Sequence, residues 1–426
     1  MSVNSVNLLT TISQPLRSAA KFIAYQEKAG GLSVGRFIQD TGANWTPKAV
    51  FARSKADLAE NTFLEFGESA LVYFAPGLLG QGIARKAFSR GLSDNAKKLV
   101  SKPAVELLKD GAKNIEAAGA AKKVMPVKAA IALTALAIPL TEFCLNYFKN
   151  LFTLKTFNKA NFNNIAALEN KEEATAEQKK VEKSAKKNIL RAAGVFAGSL
   201  ALAGLMMKKG ENSKALQGVS EFILAPGNKL CKSEKGRNFV NKYFSLDFGQ
   251  QIVKKGGKEV DKLALSKGQL TSCVLVGGLG YFGAAKDRGK QNLLEVAFRY
   301  PLVGLYVITG SELFEKGFKG ILKKTGKCKE LLSAPPAMQS VEKLGDLAKT
   351  LAPKGDKAMY KKLVGQKAAV FGVPFVFSIA VMGFFVAGVS NFFTKYRFKK
   401  EQEALKAKGR QFEASTAPEV FKPFLR

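Results

Sequence analysis

An all-α, multi-pass helical membrane protein with amphipathic interfacial helices and charged helical loops is the fold class this sequence predicts. Of its 426 residues, 46% are hydrophobic, and these gather into long uncharged runs rather than spreading evenly. The 67 Lys and Arg outnumber the 34 Asp and Glu to give a net charge of +33, and the basic residues stand beside those runs. Alternating strand patterns bounded by turn residues are hard to find, which argues against a β-barrel or a conventional α/β domain.

Residues 1–62 read as an N-terminal amphipathic or interfacial helical region. Pro15 suits a first helical position and Gly30-Gly31 a stop, while Leu16, Ala19, Ala20 and Ile23 share one face opposite Arg17, Ser18 and Lys21. Thr46-Pro47, just after the single tryptophan Trp45, signals a second helix start. A first membrane-associated region covers 63–207, with spans expected at 129–148 and 189–207. The uncharged stretch 69–84, broken at Pro76-Gly77, reads as re-entrant or surface-lying. The charged run 169–188 reads as a solvated helix in which Glu182 and Lys186 pair.

A basic helical loop is expected over 208–267, then a second membrane region over 268–394. Its candidate spans are 269–285, 293–314 and 368–394, with a helical loop at 315–367. The clearest is 368–394, because no charge occurs between Lys367 and Lys395. Within the loop, Val341, Leu344, Leu347 or Ala348, and Leu351 recur at helical spacing before Pro353. A basic tail, 395–426, closes the chain. Nearly every loop is basic, so the charge rule ranks orientations poorly; the short 286–291 loop is the best candidate for translocation, with the tail cytoplasmic.

The sequence contains no histidine, which excludes Ser-His-Asp and Cys-His nucleophile sets and His-Glu-x-x-His zinc chemistry. Cys144, Cys231, Cys273 and Cys328 are widely separated, so neither a disulfide framework nor a zinc site is expected. No cofactor is expected. Nucleic acid is a poor candidate partner, because the charge flanks apolar runs instead of a soluble core. No cleavable signal is expected, and the early Ser, Arg17 and Lys21 leave an organelle transit peptide open. The expected location is a bacterial inner membrane, with an organelle inner membrane as the alternative.

Tyr147, Phe148 and Lys149, and likewise Phe392, Phe393, Lys395, Tyr396 and Arg397, interleave aromatic and basic residues where spans end. That pattern predicts interfacial anchoring to anionic lipid, the expected partner. Glu142, Glu295 and Arg299 are charges inside candidate spans and would line an interior or a pathway, Glu295 and Arg299 standing one turn apart. Gly194 with Gly198, and Gly383 with Ala387, give small-x-x-x-small faces for close helix contact within the chain or in a homo-oligomer. Two short echoes, 67–77 against 218–227 and the aromatic-basic stretches after Asn146 and Asn391, hint at duplication.

The segment SCVLVGGLGYFGAA, with Gly278, Gly280 and Gly283 in G-x-G-x-x-G, resembles the nucleotide-binding turn of the extended short-chain dehydrogenases. That resemblance implies a preceding strand, a helix N-terminus at the pyrophosphate and an acid about 20 residues on at the ribose. The sequence departs from it: no acid follows at that distance before Glu312, and the family's Tyr-x-x-x-Lys pair is missing. Glycines packed inside a membrane helix are the competing reading. The residues therefore lead to a non-enzymatic membrane protein binding anionic lipid or an acidic partner. A small-solute or ion transporter is the alternative, and an NAD(P)-binding enzyme the third reading.

Overall fold

The computed structural model describes residues 34–75, 82, 84–255 and 258–416. The amphipathic segment expected after Pro15, the Pro76-Gly77 break and the end of the tail lie outside these residues. The architecture is mainly helical, as the apolar patterning predicts.

Helix α1 (Val34–Val50) leads through a short turn into α2 (Lys55–Ala75). The start predicted at Thr46-Pro47 is instead the last turn of α1, where the Thr46 hydroxyl donates back to Gly42 O at 2.6 Å. The true start is at Ser54, whose Oγ accepts from Asp57 N at 3.1 Å as an N-cap. Short helices α3 (Arg85–Phe88), α4 (Asp94–Leu99) and α5 (Ala104–Gly111) pack on α6 (Ile115–Ala135). Ser93 caps α4 and Asn114 caps α6, each with its side-chain oxygen.

Helix α7 (Ala137–Phe157) continues α6 past Leu136, three residues before Pro139. The span predicted at 129–148 is therefore split between two helices, and both lie largely inside the protein. After α8 (Phe162–Ile165), the long α9 (Thr175–Lys209) runs back antiparallel to both. Gln178 donates to Asn158 O at 3.1 Å near one end, and Gly210 abuts Pro126 beyond the other. The predicted solvated helix and the 189–207 span are thus largely one continuous helix, in which Glu182 and Lys186 pair at 2.6 Å.

Helices α10 (Lys214–Leu224), α11 (Pro226–Leu230) and α12 (Glu234–Phe244) follow. The rest of the predicted helical loop is corrected by a two-stranded antiparallel hairpin. Strand β1 (Gly249–Lys255) pairs with β2 (Lys258–Ala264), with Lys255 opposite Lys258. Gly256-Gly257 is a glycine pair of the kind that hairpin connections favour. The many lysines flanking it made the segment look like a solvated helix.

Helix α13 (Lys267–Asp287) begins at a reciprocal capping box between Ser266 and Gln269. Then α14 (Lys290–Leu305) and α15 (Ser311–Lys324) form one rod interrupted by a π segment, Tyr306–Gly310. After α16 (Lys329–Leu332) and α17 (Leu344–Leu351), α18 (Asp356–Ser378) and α19 (Val386–Thr416) form a second rod with its own π segment, Ile379–Phe385. Each π segment begins five residues after a proline, Pro301 or Pro374, where the missing N–H has already broken the regular ladder. The two meet where Tyr306 and Ser378 share a hydrogen bond between their hydroxyls.

Leu344, Leu347 and Ala348 of α17 bury their predicted apolar face against Leu322, Leu331 and Leu363, closing a small cap over the ends of α15 and α18. Glu330 fastens it: Lys362 Nζ and Gln366 Nε2 each donate to its carboxylate at 2.5 Å.

Four helical stretches are long and apolar enough to cross a membrane: Ile115–Phe157, Thr175–Lys209, Lys290–Lys324 and Asp356–Lys408. Helix α13, expected as a span over 269–285, is not among them because its glycines and polar N-terminal turn dilute its apolar content. It runs parallel to α7 and very close: Gly277 faces Glu142, Gly280 faces Phe143 and Gly283 faces Tyr147. A Cβ at Gly280 would stand 2.5 Å from Phe143 O, whereas one at Gly194 would meet nothing within 4 Å.

Gly280→Ala should therefore destabilise the fold by about 1–3 kcal/mol, whereas Gly194→Ala should be neutral or stabilise it by about 0.5–1 kcal/mol through helix propensity. Thermal unfolding of the two variants in detergent measures the contrast. A second expectation concerns acid. The hydrogen bond from Lys362 holds the Glu330 carboxyl down to about 2, below its ordinary 4.5, so its stabilisation is present above about 4.5 and lost as pH falls through about 2. Unfolding scans across that window should show a loss that Glu330→Gln removes.

Candidate functional site

Charge enters this bundle from its helix ends. Between α1 and α2, Arg53 directs its guanidinium inward, donating from Nη1 to Glu295 Oε2 at 2.8 Å and from Nη2 to Glu295 Oε1 at 3.2 Å. Its Nε and backbone N–H both donate to Asp57 Oδ2 at 3.0 Å, and its face lies 5.0 Å from the Phe162 ring. Glu295 also accepts from Thr394 Oγ1 of α19 at 2.8 Å and stands 3.7 Å from Arg299. The predicted Glu295–Arg299 pair is present, but Arg53 is the closer partner. One carboxylate thereby ties the α1–α2 turn, α14 and α19 together.

A second network lies across α7. Arg288, just past α13, is fully buried with Nη1 2.6 Å from Glu60 Oε1 of α2, and Thr153 of α7 donates to the same oxygen. Lys149 is buried against the Tyr281 ring at 5.2 Å, and Asn150 Nδ2 donates to Ala284 O at 3.0 Å. On α1, Lys48 pairs with Glu65. Burial lowers the Lys48 ammonium to about 8 and raises the Glu68 carboxyl.

Glu142 lies apart from both networks. Its side chain is half-buried, with the carboxylate facing Gly277, halfway along α13, beside Cys273, while Oε2 is buried with no hydrogen-bond partner among the described residues. Tyr300 of α14 fills the space over Gly278 and donates to Val274 O at 2.5 Å.

The other predicted residues fall as follows. Tyr147 and Lys149 are not interfacial: they are buried because α7 is covered by α2, α9 and α13, and only Phe148 of that trio is exposed. Phe392, Phe393, Lys395 and Tyr396 are exposed, while Arg397 turns inward to Thr394 at 3.2 Å. Gly383 and Ala387 pack within the chain, Gly383 against Pro47. Gly194 and Gly198 face open space on α9. Gly278, Gly280 and Gly283 lie inside a continuous helix, so the strand and helix N-terminus that the dehydrogenase resemblance implies are not formed there.

Arg53, Asp57, Glu60 and Arg288 were not anticipated, although the Ser54-x-x-Asp57 cap and the Glu142, Asn146, Asn150 spacing were readable signals. Among the described residues no group of three His, Cys, Asp or Glu is placed to hold a metal. No family model, curated protein or solved structure matches the chain.

Removing Arg53 would strand Glu295 and Asp57. Arg53→Ala should cost about 3–5 kcal/mol in unfolding of the purified chain, and the double variant Arg53→Met with Glu295→Leu should cost clearly less than the sum of its single changes.

Proposed function

We propose that this chain is a multi-pass membrane protein without a catalytic role, whose basic flanks hold anionic lipid headgroups. One observation carries the reading: large apolar side chains stand exposed along the long helices while charged and amide side chains are buried between them. Arg288 is 2% exposed and Asn146 and Asn150 are fully buried, whereas Leu190 is 74%, Leu279 68%, Phe385 65%, Leu305 63% and Val376 62% exposed. In water such a surface is far larger than the scattered apolar residues a soluble protein tolerates. Against hydrocarbon it costs nothing, and the buried charges then sit where intramembrane charges are stable, paired in a protein interior.

Exposed lysines mark the ends of the same helices: Lys186 and Lys187 toward one end of the apolar part of α9, Lys208 and Lys209 at its other end, and Lys395, Lys399 and Lys400 on α19. Each contributes about 1 kcal/mol on an anionic surface. The exposed Phe392, Phe393 and Tyr396 place aromatic rings beside the last group. A bacterial inner membrane is the setting we favour.

Membranes from cells expressing the full chain should retain it through an alkaline carbonate wash, and vesicles containing phosphatidylglycerol should recover more of it on reconstitution than neutral ones. Release as a well-behaved monomer would end the membrane reading. Equal recovery from both vesicle types would end the anionic-lipid part.

A further inference from the structure

One face of α7 carries Glu142, Asn146, Lys149, Asn150 and Thr153 within an arc of about 100°. This face lies against α2 and α13 and extends over roughly 16 Å of helix. Its acceptors are unusual. Glu142 Oε2, Asn146 Oδ1 and Asn150 Oδ1 are all buried without a hydrogen-bond partner among the described residues. The amide nitrogens are engaged, Asn146 Nδ2 with Glu142 O at 3.2 Å and Asn150 Nδ2 with Ala284 O at 3.0 Å, which leaves each carbonyl oxygen as the unused end. At the foot of the row, no donor of the Arg288 guanidinium is aligned on an acceptor, although Glu60 lies 2.6 Å from Nη1.

A single buried polar atom left unpaired costs about 1–3 kcal/mol, and native proteins hold few of them. Here they recur at one-turn spacing along a line. Water satisfies such groups when two to four polar atoms surround it, and this row offers them from Arg288 up to Glu142. Above Glu142 lies a small cavity lined by apolar side chains, Leu136, Ile138, Pro139 and Leu246 among them, together with Gln269, Ser272 and Cys273. At the other end Arg288 and Glu60 are themselves buried, so the row is enclosed along its length. Glu142 is its terminus, and Gly277 opposite it is ten residues from each end of α13.

We propose that Glu142 is a proton-binding carboxyl at mid-height in the bundle, served by a file of water along Asn146 and Asn150. The cargo is a proton because a water file carries one without a cavity for a larger solute. Binding converts the carboxylate to the neutral acid, release restores it, and no other bond changes. The groups facing Glu142 are Glu68 from α2, Cys273 from α13 and Tyr300 from α14, with Lys149 two turns along its own helix. Glu295, the other intramembrane carboxylate anticipated from sequence, does not serve in this role because Arg53 and Thr394 occupy both its oxygens.

Infrared difference spectroscopy on the full chain in detergent micelles tests this independently of membrane insertion. Acidification should produce a protonated-carboxyl band that Glu142→Gln, which removes an unpaired buried charge and keeps the shape, abolishes. On transfer to D2O that band should shift rapidly in the unaltered chain. In Asn146→Leu or Asn150→Leu, exchange then requires local opening, and the shift should slow about tenfold or more. Should both leucine variants lose their helical circular dichroism, Thr153→Val, which removes one hydroxyl at the foot of the row, takes the same reading. A band unchanged by Glu142→Gln, or exchange as fast in the folded track variants as in the unaltered chain, overturns the proposal.

Discussion

Two arginines brought into the interior from helix ends impose the constraint on which the rest of the bundle depends. A guanidinium stays charged at any accessible pH, so burying Arg53 and Arg288 requires acceptors to be delivered to them. Glu295 and Asp57 meet Arg53, and Glu60 meets Arg288. These carboxylates come from α2 and α14, and Thr153 and Thr394 add α7 and α19, so bringing counter-charges to the two arginines fixes the mutual placement of four long helices and the α1–α2 turn. Apolar packing alone would leave those helices free to slide, because one leucine face resembles another. Bidentate ion pairs do not tolerate such a slip.

Close approach of α7 and α13 is the second condition, and it follows from glycine. With Gly277, Gly280 and Gly283 on the shared face, the backbone of α7 comes within reach of α13, and Asn150 hydrogen-bonds a carbonyl of the neighbouring helix directly. Gly280 and Gly283, two of the three glycines that resembled a phosphate-binding turn, thus have a packing explanation, and the third, Gly278, lies against Tyr300 of α14. A continuous helix through the glycines uses their lack of a side chain and not their conformational freedom.

Much of the helical framework was legible, because apolar content and i,i+4 spacing are local properties. The long apolar runs at 189–207 and 368–394, the Glu182–Lys186 pair and the buried face of α17 all rest on residues within a turn or two of each other. Arg53 and Arg288 escaped notice because each sits in an ordinary charged connection, and nothing nearby in sequence distinguishes a charge that enters the interior from one that meets solvent. The hairpin at 249–264 was hidden for a related reason: its first strand shows no apolar-polar alternation, Ile252 and Val253 being adjacent between glutamines and lysines. Tyr147 and Lys149 were misplaced because an aromatic-basic pattern looks alike at a membrane interface and in a crowded polar interior. Three other helices decide between the two, and they are remote in the chain.

Glu142 and Glu295 show how one residue type takes two roles in one bundle. Glu295 has Arg53 across both oxygens and a threonine besides, so its charge is held and its geometry fixed. Glu142 has a second carboxyl, a thiol, a phenol and glycine around it, no cation in contact, and one oxygen unused. A carboxylate neutralised by a permanent cation has no reason to exchange its proton with the surroundings, whereas one lacking such a cation in a low-dielectric interior is neutralised most cheaply by a proton. The arginine networks therefore serve as scaffold, and the proton chemistry proposed for Glu142 lies at a carboxyl they leave uncovered.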